Sequence, residues 1–202
     1  FSRMPTVSAL WQQLKCQVPS NYDPVARTYT GPWDGNFKPA VTSNPVWFLW
    51  TYCTDNRFGI NIPAANMDRW GMYAIAQWCD QPVPDGYGGT EPRFQFHNFQ
   101  QDTQDAWKVV SDIVSSFCGQ AYWSAGGIRI VADMPGKQPV KHFNATNVIE
   151  GKFTYSSTPK NGRFTAASVA WTDPGDRYRR AVEYVEHGQG LLAYGLQQTA
   201  AV

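Results

Sequence analysis

The 202-residue chain predicts an α+β protein, in which β-rich segments at both ends surround a unit of about three helices and short strands. A hydrophobic content of 43% with 16% charged residues indicates a folded chain with a real core. Apolar residues recur at helical spacing in the middle of the chain, and the period changes to two beyond Met134–Asn147. We therefore expect a β-rich segment at 1–43, an inserted α+β domain at 44–147 and a return to the β-rich domain at 148–202.

Asn44–Gly59 contains the helix around which the other elements are predicted to pack. Asn44 and Pro45 are typical of a helix start, because Asn accepts free N–H groups of the first turn and Pro lacks a donor there. One stripe is formed by Val46, Leu49, Trp50 and Cys53, and the opposite side by Trp47, Phe48 and Tyr52. A helix that is apolar all round and about a dozen residues long is too short for a membrane span, so it indicates a core centre.

Two further features precede this helix. Thr6–Val18 predicts a strand whose side-chain phase changes at Gln12-Gln13, as a β-bulge would produce. Pro19–Tyr29 is predicted to be irregular, and Asp34-Gly35 between aromatic residues predicts a tight turn.

A second helix is predicted from about Ala64 to Asp80. Its expected apolar stripe consists of Met67, Trp70, Ala74 and Trp78. Gln81–Pro92 is rich in Pro and Gly and predicts a loop, whereas Arg93–Phe99 alternates weakly and predicts a short strand.

The third helix has the clearest pattern. Asp102 or Thr103 is the predicted cap, and Asp105 is placed in the first turn. The apolar positions are Ala106, Val109, Val110, Ile113, Val114 and Phe117. Gly119 predicts the end of the helix, and Ala125-Gly126-Gly127 predicts the turn of a hairpin between 121–124 and 128–132.

The last third of the chain predicts strands at Lys152–Ser156, Phe164–Thr172 and Tyr178–Val185. A turn at 173–176 joins the last two, and His187–Val202 predicts the start of another helix. Because the chain opens without an initiator Met, we expect it to be a piece of a longer protein.

Charge and cysteine usage exclude several functions. A net charge of +1 gives no electrostatic basis for nucleic-acid or anionic-membrane binding, and no apolar run is long enough to span a membrane. The four cysteines (Cys16, Cys53, Cys79 and Cys118) contain no C-x-x-C pair, which disfavours a zinc knuckle or a redox motif. The number of cysteines leaves disulfides possible, but we expect four reduced thiols.

No group of residues predicts a catalytic, cofactor or metal site. The histidines, His97, His142 and His187, lie far apart, and scattered surface histidines are more common than a metal site. An acid–base pair among Asp85, Glu91, Asp102, Asp105 and Asp112 stays open, although Asp102 and Asp105 have a better explanation as helix N-terminal charges. The basic cluster of Arg177, Arg179 and Arg180 is offset by Asp173, Asp176, Glu183 and Glu186.

The sequence contains several long and unusual strings. They are VPSNYDP at 18–24, RTYTGPWDGNFK at 27–38, NPVWFLW at 44–50, RFG at 57–59, CDQPVPDGYGGTEPRF at 79–94, AYW at 121–123, ADMP at 132–135 and VAWTDP at 169–174. Together these strings resemble the tip attachment protein J family of lambda-like phages. The resemblance is collinear from about Thr6 to Val185, and such long idiosyncratic strings are far more specific than a single glycine motif.

The resemblance implies a structural, non-enzymatic protein of a phage or prophage tail tip, similar to baseplate hub proteins. Such hubs are homotrimers with β-barrel-like domains that close the end of the tail tube, and they contact other tail-tip proteins. The implied location is the virion tail tip, after assembly in the bacterial host cytoplasm. By this resemblance, 1–43 and 148–202 would be parts of one split hub domain, and no cofactor is implied. The alternative is a module that recognises host cell-surface glycan or protein through exposed aromatic residues.

Overall fold

The computed structural model describes residues 14–98, 104–136, 139, 141–157, 159, 162–173, 175–195 and 198–201. The chain divides into two compact units, and the boundary between their described parts falls within Met134–Asn147, the segment beyond which the period of the sequence changes to two. The described part of the first unit is 14–136, and that of the second begins at residue 139. Helices and strands occur in both, so the predicted α+β class is confirmed.

The central helix α1 spans Pro45–Thr54, as the sequence predicts. The Asn44 side chain accepts a hydrogen bond of 3.0 Å from the Val46 amide, and Pro45 occupies the first turn. Most of α1 is buried, and its Trp47 and Leu49 side chains are fully enclosed. The prediction of a core helix that is apolar on all sides is therefore confirmed.

Short antiparallel strand pairs precede α1. Strand β1 (Cys16–Pro19) pairs with β4 (Phe37–Ala40), and β2 (Tyr22–Asp23) pairs with β3 (Thr28–Tyr29). Most of the predicted strand Thr6–Val18 lies outside the described residues, as does its predicted bulge at Gln12-Gln13. The described end of that prediction overlaps β1. The prediction that Pro19–Tyr29 is wholly irregular is wrong, because two-residue strands carry too little alternation to be visible in sequence. Gly35, with φ +84°, makes the predicted turn.

Helix α2 spans Arg69–Asp80, after a short 3₁₀ turn at Ala64–Asn66. The predicted start at Ala64 is too early, because Asp68 accepts a hydrogen bond from the Gly71 amide and caps the helix there. The predicted stripe is also partly wrong, since Trp70 and Ala74 are exposed. The buried residues are Met72, Ile75, Ala76, Trp78, Cys79 and Asp80.

The segment after α2 differs from prediction in two places. The predicted loop Gln81–Pro92 contains a small hairpin of β5 (Pro82–Pro84) and β6 (Thr90–Pro92). The predicted strand Arg93–Phe99 is not formed by its described residues. Its amides bond elsewhere, because Phe94 N donates to Cys79 O at 3.1 Å and Phe96 N to Ser43 O at 2.8 Å.

Helix α3 spans Ala106–Ser115. Asp105 is its N-cap, accepting hydrogen bonds from Trp107 N at 2.9 Å and Lys108 N at 3.1 Å, so it lies one position outside the predicted first turn. Asp102 and Thr103 lie outside the described residues. The predicted stripe is buried at Val109, Val110, Ile113, Val114 and Phe117, but Ala106 is exposed.

The predicted hairpin follows α3. Strand β7 (Gly119–Ser124) pairs antiparallel with β8 (Gly127–Ala132). Ala125 and Gly126 both have positive φ, as two-residue hairpin turns require. Side chains of α1, α2, α3 and β8 belong to one hydrophobic cluster, which confirms that the three helices share a core.

The second unit contains a three-stranded sheet in the order β10-β9-β11. Strand β9 (Phe164–Asp173) pairs antiparallel with β10 (Arg179–Glu186), close to the predicted bounds, and parallel with β11 (Gln198–Ala201). The predicted helix at 187–202 is correct only for α4 (Gly188–Tyr194), because Gly195 at φ +69° ends it. The strand predicted at Lys152–Ser156 is not formed. Short strands elsewhere form separate two-stranded sheets, and the described strands close no barrel.

Candidate interaction surfaces

Among the ion pairs of the described residues, one is buried and therefore belongs to the core. The Asp80 carboxylate at the end of α2 pairs with Arg27, and both side chains are almost inaccessible. Tyr29 donates to Asp80 Oδ2 at 2.7 Å, as does Asn44 Nδ2. Arg27 also donates to Phe94 O at 2.8 Å. The network joins five segments of the first unit, so it is a structural centre.

The described histidines and carboxylates form no metal-binding group. Within the described ranges, no three His, Cys, Asp or Glu side chains are placed to hold a metal ion. His187 caps α4 by accepting from Gly190 N at 3.0 Å, and burial followed by the charge of Arg27 lowers the pKa of His97. Asp85 accepts from the amides of Tyr87 and Gly89 and thus shapes its own loop.

The cysteines are free thiols, three buried and one, Cys118, exposed. Burial raises the pKa of Cys16 to about 11 and the pKa values of Cys53 and Cys79 to about 12. A thiol that stays protonated is a poor nucleophile and a poor metal ligand. The three buried cysteines therefore act as small core residues.

The tryptophans divide between core and surface. Trp47 and Trp50 are buried, while Trp70 is 56% and Trp107 43% exposed. Trp70 packs edge-on against Trp33, with ring centroids 4.9 Å apart. Two of these four tryptophans therefore belong to the core and two to the surface.

Trp107 lies beside a shallow pocket of about 280 Å³ between α3 and β7. Its other lining residues are Ser111, Val114, Gly119, Gln120 and Ala121. A Cβ atom at Gly119 would lie 2.7 Å from Phe117 Cε2 and 2.9 Å from Val114 Cγ1, so only Gly allows the hairpin to approach α3 this closely. This close approach forms the floor of the pocket.

The sequence predicted no binding residue here, so Trp107, Ser111 and Gln120 were all missed. Ser111 could have been found, because it lies four residues after Trp107 on the same helix face. Gln120 belongs to a strand, and its position beside α3 depends on tertiary packing that no local pattern encodes.

A second exposed surface lies on the sheet of the second unit. Val182 and Tyr184 of β10 and Phe164 of β9 are each more than half exposed. Their strand positions place them on the same face of the sheet. Arg180 and Glu186 flank them on β10, so the face combines apolar and charged groups.

No helix among the described residues combines the length and hydropathy needed for a membrane span.

Comparisons of the chain with protein families and with individual proteins agree with each other. A family model described as a putative phage tail protein matches residues 105–198. The chain is 35% identical to tip attachment protein J of Escherichia phage SECphi27 over 98% of its own length, and 37% identical to that of Escherichia phage SECphi4 over 90%. The name of these relatives and the description of the family model agree on one class, the phage tail proteins. The chain belongs to the tip attachment protein J family, which confirms the resemblance seen in the sequence. The chain spans 17% and 16% of the length of these two relatives.

Proposed function

We propose that this chain is a structural segment of a phage or prophage tail tip, in which three copies of the complete protein form a hub that closes the tail tube. The observation that carries the proposal is the similarity to tip attachment protein J along 90–98% of the chain. In the virion, the hub contacts its own copies and other tail-tip proteins. It assembles in the host cytoplasm, needs no cofactor and catalyses no reaction.

The core of the first unit supports a structural role. Trp33 stacks on Tyr73 with ring centroids 4.9 Å apart and planes 14° apart, and Phe37 stacks on Trp50 at 4.7 Å and 17°. Large interlocked aromatic rings restrict the relative movement of the elements that carry them. Such a rigid unit suits a component that holds its shape within a larger assembly.

The sheet of the second unit supports assembly. Its largest buried residues among those described are small, Thr165 and Ala166, whereas Phe164, Val182 and Tyr184 remain largely exposed. A large apolar face on the surface of a folded protein is typical of a site that binds another protein or segment. In the proposed hub, neighbouring chains or further hub segments cover this face.

The split hub domain, made of 1–43 and 148–202 around 44–147, stays a prediction. The described strands β1 and β4 contribute side chains to the core around α1 and α2. A barrel-like hub would therefore need additional strands beyond those described.

Immunogold labelling tests the location. Antibodies raised against the 202-residue chain are applied to intact particles of the phage or prophage that encodes it, with particles from a strain deleted for the gene as control. We expect gold at the distal end of the tail in intact particles only. Labelling of the capsid, or equal labelling of both samples, would contradict the proposal.

A further inference from the structure

We propose that the pocket between α3 and β7 binds one neutral pyranose ring of a bacterial surface glycan, with Trp107 as its stacking platform. The pocket, of about 280 Å³, lies below the size of most drug-like ligand sites and suits a single small ring. The inference goes beyond the structural role proposed above and does not depend on it.

The lining offers the two kinds of contact that a sugar ring needs. A pyranose presents an apolar face of C–H groups and a rim of hydroxyl groups. The half-exposed indole of Trp107 provides a flat apolar surface for the first. The hydroxyl of Ser111 and the amide of Gln120 can donate and accept hydrogen bonds for the second, and neither side chain has a partner among the described residues.

The lining also favours a neutral ligand. None of its six residues is ionisable. The nearest charged positions on α3, Lys108 and Asp112, follow Trp107 and Ser111 by one residue and so lie on an adjacent side of the helix. A phosphate or a carboxylate would find no cation within the pocket, and its desolvation would be uncompensated.

An apolar side chain of a partner protein fits the pocket less well than a sugar. It could pack on Trp107, but it would remove water from Ser111 and Gln120 without replacing their hydrogen bonds, which costs free energy. A sugar hydroxyl replaces those bonds. The polar residues of the pocket therefore distinguish the two occupants.

Tyr122 extends the site along the hairpin. It lies two residues after Gln120, on the same face of β7 and roughly 7 Å further along the strand. Its ring is 48% exposed, opposite Arg129 of β8. Tyr122 is thus placed to contact the next sugar of a chain whose first ring occupies the pocket.

The test follows the indole N–H signals of the ¹⁵N-labelled 202-residue chain by NMR. The probes are methyl α-glucoside, methyl α-galactoside, methyl α-mannoside and N-acetylglucosamine, each at up to about 50 mM, because one ring is expected to bind with a millimolar Kd. N-acetyl-leucine amide serves as the apolar probe. We expect at least one sugar to shift the Trp107 signal with saturation.

Three variants make the result specific. Trp107→Ala should abolish saturable sugar binding, and Gln120→Leu should weaken it at least about fivefold through loss of a hydrogen bond. Trp123→Ala, which removes a 61% exposed ring on the same hairpin outside the pocket, should leave binding unchanged. The spectrum of each variant shows whether it folds.

The proposal is overturned if none of the four sugars shifts the Trp107 signal. A response to N-acetyl-leucine amide alone would also overturn it, as would a folded Gln120→Leu variant with unchanged sugar affinity. These outcomes would leave the tail-tip role untouched.

Discussion

Asp80 accepts hydrogen bonds from Tyr29 and Asn44 at 2.7 Å each, and it pairs with the guanidinium of Arg27. Burial of a carboxylate without such partners would be prohibitive. The partners come from β3, the α1 N-cap and the turn after β2, so one carboxylate fixes the end of α2 against three other segments. We infer that the network specifies how these segments pack.

Replacement of Asp80 tests this role. Asp80→Ala leaves Arg27 buried without a counter-ion, and we expect a loss of about 3–5 kcal/mol in the free energy of unfolding. The measurement is urea unfolding followed by tryptophan fluorescence. Asp112→Ala, on the exposed side of α3, is the matched control and should change stability by less than about 0.5 kcal/mol. Equal effects of the two variants would show that the network does not stabilise the fold.

The buried thiols predict a pH dependence. Burial raises the pKa of Cys53 from its ordinary 9.0 to about 12. Between these values the unfolded chain releases a proton that the folded chain retains, so stability is complete below pH 9 and falls as the pH rises toward 12. The expected slope is about 1.4 kcal/mol per pH unit for each such group.

Cys53→Ala isolates one group in this titration. Urea unfolding gives the free energy of unfolding of the parent and the variant between about pH 7 and 11. Above pH 9 this free energy should fall less steeply for the variant, by the contribution of one proton, about 1.4 kcal/mol per pH unit. Burial and then Asp80 raise the pKa of Tyr22 to about 12, so this phenol adds a decline above pH 10 in both proteins. Identical slopes would contradict the burial of a protonated Cys53 thiol.

Among the elements, the hairpin β7–β8 is fixed by close backbone contact. A Cβ atom at Gly127 would overlap the carbonyl oxygen of Asn66, whereas one at Gly126 would meet only the Asn66 side chain, at 3.5 Å. Asn66 Nδ2 also donates to Gly126 O at 3.1 Å. The hairpin therefore rests on the 3₁₀ turn that precedes α2.

Gly127→Ala should cost more stability than Gly126→Ala. The first change forces two backbone segments apart and should lower the free energy of unfolding by about 2–3 kcal/mol. The second only places Ala at a positive φ and should lower it by about 1 kcal/mol. Thermal unfolding of both variants measures the difference. A Gly127→Ala variant as stable as the parent would disprove the contact with Asn66.

The shared core predicts that large truncations in two different helices have similar effects. Trp50 of α1 and Ile113 of α3 are both buried, and Trp50 stacks on Phe37. Trp50→Ala and Ile113→Ala should each lower the free energy of unfolding by about 2–5 kcal/mol. Trp70→Ala removes a largely exposed ring and serves as the control. Losses within experimental error at both core sites would rule out this core.

The elements that sequence predicted well are those with strong local signals. The sequence of α1 contains its N-cap and is apolar on all sides, so it indicates where the helix begins and that it is buried. The sequence of α3 contains a continuous apolar stripe, which identifies its buried face. Helix α2 shows the limit. Its Trp70 fits a helical stripe, but it faces the Gly35 turn and solvent, because the direction of the core is set by α1 and not by local spacing.

The candidate site could be predicted only in part. Trp107 stands out as an aromatic residue on an otherwise patterned helix, yet the pocket exists because Gly119 lets β7 approach α3. The short strands β2, β3, β5 and β6 were missed for a different reason. Each pairs with its neighbour in a local hairpin, but strands of two or three residues are too short to show a period of two in the sequence.

At the scale of the whole molecule, we propose that this chain functions within a ring. A ring requires a heterologous interface, in which one surface patch meets a different patch on the next copy. A stable interface usually buries at least ~1,000 Å². The chain spans 17% of the length of its relative from phage SECphi27, so we expect segments outside it to supply part of that area.

Light scattering coupled to gel filtration tests this claim most directly. The 202-residue chain and a longer polypeptide that contains the complete hub region are compared at the same concentration. We predict a monomer or a weakly associating species for the short chain and a trimer for the longer one. A longer polypeptide that remains monomeric, or that forms a closed dimer, would contradict the hub assignment.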